Sequence, residues 1–153
     1  MTILLMKQMI GLIGAPRSGK DYIATLIKFF IKNASTVAFA DVVKEKYFDS
    51  VGITFQDFEE IKQKSQDKTE AIRKGLWAYS DAVKKIHGHD YFTNVTMKDA
   101  VELGQDLVVF TDVRIPVEME KMRNLSATRG INLKFMFVHS GEIDFEGANL
   151  IGS

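Results

Sequence analysis

The stretch Gly14-Ala15-Pro16-Arg17-Ser18-Gly19-Lys20 lies between a short apolar run, Met9 to Ile13, and a segment of helical spacing, Asp21 to Lys32. It matches G-x-x-x-x-G-K-[ST] except at the last position, where Asp21 replaces Ser or Thr. Glycine lets a backbone turn so that successive N–H groups converge on phosphate oxygens, and a helix starting near Lys20 adds its positive end. Lys20 can reach the terminal phosphates of a nucleoside triphosphate, and Arg17 adds a second cation. A strand before and an amphipathic helix after form the context such a phosphate-binding loop requires. The competing reading is a glycine-containing turn with a chance Gly-Lys pair.

Asp21 has two readings. A Ser or Thr hydroxyl at this point helps to hold Mg²⁺. A carboxylate can do so directly or through water, or it can simply favour the first turn of the helix by its charge.

The rest of the chain supports one layered α/β fold. Asp21 to Lys32 carries Ile23, Leu26, Ile27 and Phe30 at the spacing of one helical face. Thr36 to Ala40 reads as a second short strand, and Asp41 to Val51 as a helix stopped by Gly52. Residues from about 54 to 103 read as helical, with a long helix from Asp67 to Ile86 bearing Ile72, Leu76, Tyr79, Val83 and Ile86 as an apolar stripe. Gly88 breaks that helix, and Asp90 is placed to cap the next one. Leu107 to Thr111 and Leu133 to Val138 are apolar strands, and Pro116 suits the first turn of a helix running to Arg129 and closed by Gly130. Strands alternating with helices imply a parallel sheet.

With 153 residues, this is enough chain for one domain with a real core. Lys plus Arg equals Asp plus Glu at 20 each, so nothing in the net charge argues for a nucleic-acid or membrane surface as partner. An anion site must then be a local concentration of positive charge. The absence of cysteine excludes disulfides, thiol catalysis and cysteine-ligated zinc. The opening Met1 to Met6 is too short for a signal peptide, so a cytoplasmic location is expected.

Two further groups bear on chemistry. Asp112 ends the Leu107 run, where parallel sheets place their ligands at carboxyl ends of strands, and a carboxylate there acts through Mg²⁺ in phosphoryl-transfer sites. Arg114 can pair with Asp112 or reach a substrate phosphate; a plain strand-ending Asp–Arg pair is the alternative. On the Asp67–Ile86 helix, at ~100° per residue, Arg73, Trp77, Ser80 and Lys84 cluster about a quarter-turn from the apolar stripe. Such a face offers cations for a phosphate and an indole for a flat base. A solvated helix flank is the competing reading. Lys44 and Lys46 are weaker candidates for the same pocket. His87-Gly88-His89 lacks a third ligand in spacing and reads as a helix-ending loop rather than a metal site.

These segments, together with Phe39-Ala40-Asp41-Val42-Val43-Lys44 and Thr111-Asp112-Val113-Arg114-Ile115-Pro116-Val117-Glu118, fall in the order seen in the phage deoxynucleoside monophosphate kinases. The chain resembles that family from about Met9 to Val138, and the aspartate after the P-loop lysine is usual there. Animal-type phosphomevalonate kinases are similar in the P-loop and around Arg73. The resemblance implies a single P-loop kinase-like domain over 1–153, a three-layer α/β fold with a parallel sheet, and a helical acceptor-binding region at about 54–103. It implies transfer of the γ-phosphoryl group of ATP, with Mg²⁺, to a deoxynucleoside monophosphate. Gly14, Ala15, Arg17, Ser18, Gly19, Lys20 and Asp21 would hold ATP, and Lys20, Arg17, Asp21, Asp112 and Arg114 would act in the transfer. Asp21 and Asp112 would serve the metal, and Lys44, Arg73, Trp77, Lys84 and Arg114 the acceptor.

The expected partner is thus a small-molecule nucleotide acceptor, with no nucleic acid or membrane, while self-association into a homo-oligomer stays open. One departure stands out. Relatives continue after the strand matching Leu133–Val138 with an arginine-bearing lid and a last strand and helix, whereas Gly141 to Ser153 contains no Lys or Arg. The lid and last strand are therefore expected to be missing. A kinase acting on a non-nucleotide acceptor such as phosphomevalonate, and a nucleotide-binding protein without turnover, are the alternatives.

Overall fold

The computed structural model describes residues 8–114, 116–139 and 142–145. The opening Met1–Met6 and, of the tail, Gly141 and 146–153 lie outside them. The described chain runs β1 (Gln8–Ile13), α1 (Lys20–Phe30), β2 (Ala34–Val37), α2 (Phe39–Val51), α3 (Phe55–Lys64), α4 (Gln66–His87), α5 (Tyr91–Glu102), β3 (Leu107–Phe110), α6 (Val117–Thr128), β4 (Asn132–His139) and β5 (Glu142–Phe145). It divides into two compact units, Met1–Phe39 with Val95–Ser153, and Ala40–Asn94.

The first unit contains a five-stranded sheet of order β2-β3-β1-β4-β5. β2, β3, β1 and β4 are mutually parallel, as the alternation of strands and helices predicts. Successive strand side chains point to opposite faces, and the core divides accordingly. Met9, Val108, Phe110 and Phe135 pack with Met119 and Met122 of α6 and Met97 and Ala100 of α5. Leu12, Leu107, Val109, Met136 and Val138 pack with Ile23 and Ala24 of α1. Helices thus cover both faces, and β3, covered on both sides, is buried at all four positions. Glycine is required at position 11, opposite Phe135 across the β1–β4 pair, because a Cβ there would come within 2.7 Å of the Phe135 ring.

Two expectations need correction in this unit. β2 is Ala34–Val37 rather than Thr36–Ala40, and α2 already begins at Phe39. The Phe39 N–H donates to Asp112 Oδ1 at 2.7 Å, so a carboxylate distant in sequence starts the helix early. In α1 the sheet covers Ile23 and Ala24, whereas Leu26 and Phe30, expected on the buried face, are 37% and 75% exposed. Beyond β4, Glu142–Phe145 forms β5, antiparallel to β4.

The second unit is helical, as the sequence predicts. Thr54 and Asp57 form a reciprocal capping box at the start of α3. Ser65 ends α3 and caps α4 by accepting from the Lys68 N–H. Phe48 is buried among Phe55, Phe58 and Tyr47, and Tyr47 in turn packs on Tyr79 of α4. A Cβ at Gly75 would overlap the Tyr47 hydroxyl, so α4 carries glycine where that ring meets its backbone. Ile86, expected in the α4 apolar stripe, is 75% exposed, while Ile72, Leu76, Tyr79 and Val83 are half-buried. The periodic stripe outruns the surface available to cover it. Among the described residues no helix is long and apolar enough to cross a membrane.

Candidate active site

β1 and β3 are parallel neighbours, with Gly11 opposite Phe110. The loops that follow them therefore emerge side by side at the carboxyl edge of the sheet. The Val113 N–H donates to the Leu12 carbonyl at 3.2 Å and ties one loop to the other strand. Gly14–Gly19 and Asp112 thus follow adjacent parallel strands at the edge where such sheets bind their ligands.

The loop itself has four features suited to a polyphosphate. A Cβ at Gly14 would lie 2.6 Å from Ser18 Oγ and 2.9 Å from the Val138 carbonyl oxygen, so the turn closes against both its own far side and β4. Arg17 adopts φ 66°, a left-handed conformation uncommon for a residue with a side chain and frequent at ligand sites. Gly19 precedes α1 at φ 101°, and no side chain caps the helix start. Its first N–H groups are thus left to an anion. Lys20 Nζ reaches back across the loop to donate to the Gly14 carbonyl at 3.3 Å.

Ser18 adds an independent sign. Its Oγ is buried and has no hydrogen-bond partner among the described residues. A buried hydroxyl without a partner costs free energy unless a ligand satisfies it. The loop therefore fits the phosphate groups of a nucleotide on this chain's own geometry. Ala15 and Arg17 are exposed at its crown, and Asp21 is exposed in the first turn of α1.

Asp112 is half-buried, and its Oδ1 is engaged with the Phe39 N–H. A carboxylate has about four lone-pair sites, so this cap and a metal are compatible. Mg²⁺ is commonly bound by one or two carboxylates together with substrate phosphates, a requirement that Asp112 and Asp21 meet by residue type. Among the described residues no cluster of three or more His, Asp or Glu side chains forms a separate metal site.

Arg114 is exposed, and its backbone N–H donates to Glu118 Oε2 at 2.8 Å. Glu118, in the second position of α6, thus folds the segment after β3 back onto the helix start. Reading by residue chemistry assigned it no role. Its spacing four residues beyond Arg114, just past Pro116, is the pattern by which it could have been found. The Phe39 N–H and the Val138 carbonyl were also missed, because backbone groups leave no mark in a side-chain pattern.

The remaining candidates belong to the Ala40–Asn94 unit. Arg73, Trp77 and Lys84 lie on one side of α4, with Trp77 78% exposed and Lys84 half-buried. Arg73 pairs with Glu70 at 3.0 Å. An exposed pair of this kind contributes little and opens readily to a better anion. Lys44 and Lys46 are half-buried on α2.

A family model described as phosphomevalonate kinase matches residues 12–128. No curated protein matches. Among solved structures, a cysteine-to-alanine mutant of the APS kinase of Mycobacterium tuberculosis is similar at 16% identity, over 87% of this chain and 76% of that one, with a TM-score of 0.46. The family match spans the P-loop, the helical unit and the Asp112 segment, well over half of the chain. This chain is a P-loop kinase and belongs to the phosphomevalonate kinase family.

Proposed function

We propose that this phosphotransferase moves the γ-phosphoryl group of ATP to a deoxynucleoside monophosphate. P-loop kinases use ATP and usually Mg²⁺, and the bound pair supplies the transferable group and the neutralising charge. Within this chain the loop amides and Lys20 hold the phosphates in place, with Arg17 at the crown and Asp21 and Asp112 toward the metal. Ser18 contributes its buried hydroxyl. Because such transfer rests on positioning and charge stabilisation, each well-placed cation carries a large share of the rate.

The observation that favours a nucleotide acceptor is Trp77. A tryptophan left 78% exposed beside Arg73 and Lys84 offers an indole face to a base and cations to a phosphate. A second reading, phosphomevalonate as acceptor, is favoured by the family match over 12–128. The test is a phosphoryl-transfer screen of ATP-Mg²⁺ against deoxynucleoside monophosphates and phosphomevalonate. Turnover of a monophosphate, lost in Lys20→Ala and with raised KM in Trp77→Ala, supports the first reading. Turnover of phosphomevalonate alone, indifferent to Trp77→Ala, replaces it with the second. Binding of ATP with transfer to no acceptor refutes both.

A further inference from the structure

Helix α1 (Lys20–Phe30) is apolar on two sides. One side, Ile23 and Ala24, is 7% and 4% exposed against the sheet. On the other, Tyr22, Leu26 and Phe29 recur at i, i+4 and i+7, the spacing of a single face. Tyr22 is 68% exposed, Phe29 78%, Phe30 75% and the following Ile31 42%. The Phe29 and Phe30 rings meet edge to face at 5.1 Å, so these two present one joined aromatic surface. A surface helix normally turns charged and polar residues outward; in α1 the exposed Asp21, Thr25 and Lys28 occupy one flank, and the aromatic face lies beside it.

We infer that a second copy of this chain covers the outer face, with α1 packed antiparallel on α1 about a two-fold axis. The area supports this occupant. Aromatic side chains present roughly 200 Å² each, so Tyr22, Phe29 and Phe30 alone expose about 450 Å². That is the size of the largest apolar patch on a typical monomer, and such patches are often functional. Two copies together remove about 900 Å², and Leu26 and Ile31 carry the sum past the ~1,000 Å² that a specific interface needs. The patch is also self-complementary. In a two-fold antiparallel pair residue i meets j while j meets i. Tyr22 of one copy then lies against Phe29 and Phe30 of the other, and Leu26, between them in sequence, meets its own counterpart near the axis. The two helix dipoles run antiparallel side by side in this arrangement, which adds to the attraction.

The absence of cysteine makes the test clean. Sedimentation equilibrium across the micromolar range should give a dimer of the 17.3 kDa chain. The double variant Phe29→Ser, Phe30→Ser should sediment as a monomer while retaining ATP-induced thermal stabilisation, which shows it is folded. In Leu26→Cys, mild oxidation should form a covalent dimer that thiol reductant reverses, whereas Thr128→Cys, exposed on α6, should not. A wild-type monomer throughout that range overturns the inference. So does a dimer that survives in the double-serine variant, or a Leu26→Cys variant that cross-links no better than Thr128→Cys.

Discussion

Replacing Gly14 by alanine tests whether the loop is held by close approach. The new Cβ would stand 2.6 Å from Ser18 Oγ, 2.9 Å from the Val138 carbonyl oxygen and 3.3 Å from Ser18 Cβ. The two closest contacts differ in how they can yield. Ser18 Oγ has no hydrogen-bond partner among the described residues, so rotating it away sacrifices little. The Val138 carbonyl belongs to β4, which is paired on one side with β1 and on the other with β5, and it cannot retreat without disturbing the sheet. Gly14 must therefore move by a few tenths of an ångström, carrying the loop amides with it.

Overpacking of this kind costs about 1–3 kcal/mol. At roughly 2–4 °C per kcal/mol for a chain of this size, the melting temperature should fall by about 2–12 °C. A ligand at a hundred times its Kd contributes about 2.7 kcal/mol in the wild type, and most of that increment should vanish in the variant. Differential scanning fluorimetry with and without ATP-Mg²⁺ measures both quantities. Adding Ser18→Ala should restore part of the intrinsic stability, because it removes the 2.6 Å contact and leaves those to the β4 carbonyl and the residue-18 Cβ. An unshifted melting temperature with an undiminished ATP increment would refute the close approach and the loop geometry built on it.

Three other perturbations separate the parts of the site and the fold. Ser18→Ala alone should leave the ligand-free protein as stable or slightly more stable, since it removes a buried unpaired hydroxyl, but should weaken ATP binding in titration calorimetry. Asp112→Ala should lower stability by about 0.5–2 kcal/mol in chemical denaturation through loss of the cap on α2. Asp112→Asn keeps an acceptor oxygen and should restore most of that stability while leaving the Mg²⁺ dependence of transfer impaired; recovery of both would confine Asp112 to the cap. Thr54→Ala breaks the capping box of α3 and should cost about 0.5–2 kcal/mol by the same measurement, with ATP-induced stabilisation unchanged.

Much of this molecule is legible in sequence because its signals are local. The Gly14–Lys20 spacing depends only on which residues allow a turn, and it identified the phosphate-binding loop. The strands β1, β3 and β4 announce themselves as apolar runs, and Gly52, Gly88 and Gly130 end helices where left-handed or unusual backbone angles are needed, at φ 75°, 107° and 66°. The parallel sheet followed from strands separated by helices. Other features depend on groups far apart along the chain. Asp112 lies 73 residues from Phe39, yet their hydrogen bond sets where α2 begins. Gly14 is constrained by a carbonyl of β4, and Ser18 is orphaned only because the folded loop hides it.

Hydrophobic periodicity shows that a face is apolar, but burial requires a partner surface. That is why Ile23 and Ala24 went inward while Leu26 and Phe30, equally apolar by pattern, remained outside. Local residue chemistry determined that this chain would hold phosphates. The three-dimensional arrangement decided which backbone groups close the loop, which hydroxyl waits beneath it, and which side of its helix was left to be covered.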